Sequence, residues 1–173
     1  MNFDRNCLRL YAVTDRAWVG RQTLCQQVEA ALQGGATCVQ LREKQLDKAA
    51  FLAEARQIAA LCRRYGVPFI VNDDLDIALA CGADGVHVGQ DDLSAAEVRR
   101  RAGSRFIVGV SAHNAEEARL AEAAGADYLG AGAVFGSATK TDASLLTPAG
   151  LREICAAVRI PVVAIGGVNA DNL

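Results

Sequence analysis

Three phrases constrain this chain more than anything else in it: GGATCVQL at residues 34–41, CGADGVHV at 81–88 and AAGADYLG at 123–130. Each repeats one device, a glycine that stops a helix, a Gly-Ala-polar turn, and a short buried strand. The alternation continues between them. Strands are expected at Leu8 to Thr14, Cys38 to Leu41, Phe69 to Val71, Val86 to Val88, Phe106 to Val110, Tyr128 to Ala131 and Val162 to Ile165. Helices are expected from about Thr23, from the cap Asp47 to Tyr65, over Asp74 to Cys81, after Ser94, after Asn114 through Ala124, and from Pro148 to about Val158. Ser94 and Glu97 have the spacing of a capping box, and Asn169 or Asp171 looks like the cap of one more helix.

Seven strand–helix units without a hairpin signal point to an α/β fold of the TIM (β/α)8 barrel type, with about seven βα units present. YAVTDR follows the first strand without the G-x-G-x-x-G of a doubly wound sheet. The 173 residues suit one domain over 1–173. The chain stops about where the seventh helix begins, so the last βα unit, roughly 30–40 residues, is expected to be missing.

A net charge of −2 gives no bulk attraction for nucleic acid or an anionic membrane, so any anion must be gripped by local cations. The six cysteines form no C-x-x-C pair, and several lie inside apolar runs. They are expected to be reduced, small hydrophobes of a cytoplasmic protein rather than a zinc site. The N-terminus has no apolar core of signal-peptide length, and no run reaches the length of a membrane span.

The chemistry gathers where strands end. In parallel α/β proteins the C-terminal strand ends share a face on which sites are built. Residues 67–93, VPFIVNDDLDIALACGADGVHVGQDDL, deliver two acidic loops there, Asn72-Asp73-Asp74 and Gln90-Asp91-Asp92. Two such loops can hold a hard cation such as Mg²⁺, or their aspartates can simply cap the following helices. The second strand presents Gln40, Arg42 and Lys44, the fifth Ser111 and His113, and the loop after the sixth Ser137, Thr139 and Lys140. Gly166-Gly167 after the seventh strand would offer backbone amides at a helix start, a phosphate cradle or only a tight turn. Together these suit a magnesium-bound polyphosphate. His87, between Val86 and Val88, is expected to be a core residue, and His113 can serve only to steady the loop before Asn114.

LYAVTDR, VQLREK, IVNDDLDIALACGADGVHVGQDDL, GVSAH, GADYLGAGAVFGSATK and PVVAIGGV, in this order, resemble thiamin phosphate synthase over nearly the whole chain. The resemblance implies a cytosolic TIM barrel, a homo-oligomer if the barrel is complete. It implies a transferase that joins a hydroxymethylpyrimidine diphosphate to a thiazole phosphate and forms thiamin phosphate and pyrophosphate. By the same resemblance Gln40, Arg42, Lys44 and Asn72 contact the pyrimidine diphosphate, and Asp73 and Asp92 bind Mg²⁺. Ser111 and Lys140 match pyrophosphate contacts. Ser137, Ala138, Thr139 and Gly167 match the thiazole phosphate cradle; serine stands where the family often has threonine at residue 137. Arg42, Lys44, Ser111 and Lys140 then act on the leaving group. Two other readings stand beside this one: a thiazole tautomerase-like isomerase of the same superfamily, and a non-catalytic phosphate-binding remnant suggested by the missing end.

Overall fold

The computed structural model describes residues 4–135 and 145–172. Its elements are β1 (Tyr11–Val13), α1 (Leu24–Gln33), β2 (Cys38–Leu41), α2 (Lys48–Tyr65), β3 (Phe69–Asn72), α3 (Leu75–Cys81) and β4 (Gly85–Val88). They continue as α4 (Ala95–Ala102), β5 (Ile107–Ala112), α5 (Ala115–Ala123), β6 (Tyr128–Ala131), α6 (Pro148–Ala157) and β7 (Val162–Ala164). Two compact units are present. One holds the chain through His87 with Ser104–Ile107, the other Val88–Gly103 and the chain from Val108 onward. No helix among the described residues is long and apolar enough to cross a membrane.

In the first unit β1 to β4 pair in parallel in chain order, Val13 beside Gln40, Gln40 beside Ile70, and Asn72 beside His87. All four residues of β2 and of β4 are buried, as parallel strands covered on both faces require. Leu41, Ile70, Val71 and Val86 are 0% exposed, each contributing about 1.5–3 kcal/mol by burial. Phe51, Ala55, Ile58 and Cys62 recur at helical spacing and form the buried stripe of α2. Asp47 starts that helix by accepting the Ala50 N–H, and Gly66 ends it at φ 65°, a left-handed conformation that glycine adopts without a Cβ clash. Gly85 opens β4 in a confined place. A Cβ there would collide with the Ile107 carbonyl oxygen, and lie 2.6 Å from Ile107 Cβ and 2.8 Å from Ile70 Cδ1.

In the second unit β5, β6 and β7 are likewise parallel in chain order, with Ser111 beside Gly130 and Gly130 beside Val163. Tyr128, Leu129 and Ile154 are fully buried, whereas β7 is only partly covered and Ile165 beyond it is 46% exposed.

Local structure departs from the sequence expectations at three places. The first strand begins at Tyr11, not Leu8, because Asp4 caps a 3-10 turn over Arg5–Leu8. There the Thr37 hydroxyl takes the Leu10 N–H and donates to the Cys7 carbonyl, both at 2.8 Å. The capping box on α4 is half made. Ser94 accepts the Glu97 N–H, but the Glu97 carboxylate turns to Arg100 at 2.6 Å. Strand β5 runs on through Ser111 and Ala112, which pair with β6. Residues 170–172 form a turn, and the Asn169 side chain accepts the Asp171 N–H as a cap would.

Candidate active site

The ends of β2 and β3 bring five of the expected residues onto neighbouring strands of one unit. Gln40 is 5% exposed, and its amide donates to the Tyr11 hydroxyl at 2.9 Å. Arg42, just past β2, is held by its backbone. Its N–H donates to the buried Thr14 hydroxyl at 3.0 Å, and that hydroxyl donates to the Arg42 carbonyl at 3.4 Å. Lys44 reaches across to β3, where its ammonium lies 2.5 Å from Asp73 Oδ2. Lys44 is 55% exposed along its side chain and Asp73 26%, so the pair sits at the surface and its attraction is screened by water.

Asp73 takes an uncommon backbone. Among the described residues it is the one non-glycine with positive φ, 65°. The Asp74 N–H donates to the Asn72 carbonyl two residues back at 2.8 Å, so residues 72–74 close a γ-turn of the rarer hand. Asp73 N–H donates to the His87 carbonyl of β4, also at 2.8 Å. Two long-range partners, Lys44 and His87, thus hold a conformation that an aspartate adopts only at some cost. Asp74 serves the next helix instead. Its Oδ1 caps α3 through the Ile77 N–H at 3.0 Å, and its Oδ2 lies 3.5 Å from the exposed Lys48 ammonium. His87 is buried in β4, 7% exposed, as expected of a core residue.

In the second unit the loop after β4 closes on itself. Exposed Asp92 accepts the Gly89 N–H at 2.7 Å, and the Gln90 amide donates to the Ser111 carbonyl at 2.5 Å. His113 steadies the start of α5. Its N–H and its ring Nδ1 both meet Glu117 Oε2, at 2.8 and 2.9 Å, while Asn114 caps the helix. Burial pushes the Glu117 carboxyl up, but the His113 N–H, the His113 ring and Asn114 outweigh it and hold it below the usual range. Gly166 and Gly167 follow β7 with φ 98° and 66°, and the Gly167 carbonyl accepts from the Asn169 and Asn172 amides at 3.3 and 3.0 Å. Ser137, Ala138, Thr139 and Lys140 lie outside the described residues.

Among the described residues no group of three or more His, Cys, Asp or Glu side chains is gathered as a metal cage. The sequence reading passed over Thr14, Arg16, Glu43 and Glu54. Glu43 lies between Arg42 and Lys44 with its side chain 1% exposed, 2.5 Å from Arg16 Nε. Arg16 extends its other arm to Glu54, also at 2.5 Å. An acid between two bases in VQLREK was the available signal, since a buried acid there needs a cation from elsewhere.

The family model described as thiamine monophosphate synthase (TMP-TENI) matches residues 10–173. A thiamine-phosphate synthase of Caldanaerobacter subterraneus subsp. tengcongensis is 50% identical over 163 residues, covering 94% of this chain and 76% of that protein. One of Clostridioides difficile is 46% identical over 169 residues, covering 98% and 80%. Among solved structures, thiamine phosphate pyrophosphorylase from Pyrococcus furiosus matches with a TM-score of 0.88 and 43% identity over 97% of this chain and 79% of that one. The TIM-type (β/α) architecture expected from the sequence is the one this likeness carries.

Proposed function

The chain belongs to the thiamine monophosphate synthase family, and from that premise we propose its reaction and the residues that serve it. It is a transferase that joins a hydroxymethylpyrimidine diphosphate to a hydroxyethylthiazole phosphate, giving thiamin phosphate and pyrophosphate. Gln40, Arg42, Lys44 and Asn72 hold the pyrimidine diphosphate. Ser111 and Lys140 meet the pyrophosphate, and Ser137, Ala138, Thr139 and Gly167 meet the thiazole phosphate. The observation that carries this reading is the Lys44 ammonium 2.5 Å from Asp73. A cation and an anion share the place where a metal-chelated diphosphate has use for both.

Asp73 and Asp92 are the proposed magnesium ligands, since a hard cation that keeps water and substrate phosphates in its shell would ask the protein for only one or two carboxylates. When bound, the cation neutralises charge that grows on the leaving pyrophosphate. Arg42 and Lys44 donate to the phosphoryl oxygens that remain. The carbon–oxygen bond breaks with its electron pair going to pyrophosphate, and the thiazole nitrogen attacks the pyrimidine-stabilised cation. Phosphate contacts on the thiazole partner convert that attack into a step within one complex. No side-chain nucleophile is needed. The cytoplasm is the proposed location, in keeping with six free cysteines, three of them buried. A homo-oligomer is proposed on the family's habit alone.

The test supplies both substrates with Mg²⁺ and follows both products. Pyrophosphate and thiamin phosphate are expected in equal amounts. Isomerisation of a thiazole phosphate with no pyrophosphate released would overturn the reading in favour of a tautomerase. A melting shift with magnesium pyrophosphate but no turnover would favour a binding protein.

A further inference from the structure

Glu43 presents a problem in electrostatics. It lies between the two cations of the proposed diphosphate grip, where a third charge of negative sign would repel the ligand. The fold resolves this by consuming the charge internally. Oε1 accepts three successive backbone N–H groups, from Lys44 at 2.7 Å, Gln45 at 2.5 Å and Leu46 at 3.1 Å. Oε2 accepts from Arg16 Nε at 2.5 Å, and Arg16 is itself steadied by Glu54. Burial raises the Glu43 carboxyl, but the amides and the guanidinium more than offset it and hold the group below the usual carboxylate range.

The result is a loop wrapped around its own buried anion. Thr14 fixes the backbone of Arg42 at one end, and Glu43 fixes the amides of residues 44–46 at the other. Arg42 and Lys44 are carried on this frame, and Lys44 is more than half exposed along its side chain. Long flexible cations lose conformational freedom on gripping a ligand, and a fixed backbone leaves less to lose.

We propose that Glu43, with Arg16 as its counter-ion, is the positioning residue of the diphosphate grip: it fixes the backbone from which Arg42 and Lys44 reach the leaving group. This rests on the reaction proposed above, and the test separates the two. Three quantities are measured for the parent and for E43Q: hydrogen exchange at the amides of residues 44–46, affinity for magnesium pyrophosphate by calorimetry, and KM for each substrate. E43Q keeps the size but loses the charge that holds four donors. Exchange at residues 44–46 should quicken by roughly tenfold or more, and pyrophosphate affinity should fall by roughly ten- to a hundredfold. KM for the pyrimidine diphosphate should rise likewise while KM for the thiazole phosphate stays within about twofold. E43D, which keeps the charge, should recover part of the affinity. If E43Q does not fold, R16Q carries the test, because Arg16 is 30% exposed along its side chain. Unchanged exchange and unchanged pyrophosphate affinity would overturn the proposal. So would a rise in both KM values together with a collapse of the melting temperature, the mark of a merely structural anchor. A parent chain that binds no magnesium pyrophosphate would sink the proposed reaction instead, and the exchange rates would still decide whether Glu43 holds the loop.

Discussion

The acidic loop after β3 and the acidic loop after β4 share their letters, an amide residue followed by two aspartates, but not their attachments. In the first, Asp73 is tied to Lys44 and to the His87 carbonyl, both far away in the chain, and its neighbour Asp74 caps a helix. In the second, Asp92 closes its own turn on Gly89, and the cap of α4 is Ser94, so neither aspartate starts the helix. A pair of aspartates therefore marks a place without assigning its members. The assignment comes from the donors that neighbouring elements bring. The first loop has its carboxylate held by the fold; the second must share its carboxylate with a backbone amide to serve a ligand.

The largest test of this contrast removes each carboxylate in turn. Asp73→Ala and Asp92→Ala should each lower turnover by roughly a hundredfold or more, with melting temperatures within a few degrees of the parent. Normal kcat/KM after Asp92→Ala would show that the two loops differ in role as they do in attachment. Normal kcat/KM after either would remove that residue from the proposed metal ligands. Next in size, Lys44→Ala should weaken magnesium pyrophosphate by roughly tenfold, read by calorimetry. It should change stability by less than about 1 kcal/mol, because the ion pair it breaks is largely exposed.

Asp74→Ala should cost about 1 kcal/mol in denaturant unfolding through the lost cap of α3, and leave pyrophosphate affinity unchanged. Asp91→Ala, in the matching loop, should stay within about 0.5 kcal/mol of the parent. Acid sharpens the contrast from another side. The Glu43 carboxyl is depressed in the folded chain, so its stabilisation is complete above the unfolded value near 4.5 and is lost as pH falls through the lower folded value. The melting temperature should drop below about pH 4.5, and E43Q should flatten that slope. Asp73→Gly should offset part of the lost ion pair by relieving the positive φ, by about 0.5–1 kcal/mol relative to Asp73→Ala.

Local signals carried most of the fold in the sequence. Asp47, Gly66, Asp74, Gly82 and Asn114 act through neighbours a few residues away, and the helices they bound fall where expected. The start of β1 did not follow its apolar letters, because Thr37, about 30 residues on, captures the backbone of Cys7 and Leu10. The Ser94–Glu97 box failed for a nearby reason: Arg100, one turn along, competes for the same carboxylate. At the candidate site, Arg42, Lys44 and Asp73 were legible as types at strand ends. The Arg16–Glu43 contact was not, since it depends on the register that sets Val13 beside Gln40.

One small residue has a consequence for anyone diversifying this sequence. Where β4 begins, the space a first side-chain carbon would need already belongs to the main chain at position 107 and to the tip of Ile70. A saturation library at codon 85, selected for growth or for solubility, should return the parental glycine almost alone. Even alanine, the mildest replacement on offer, should be among the missing.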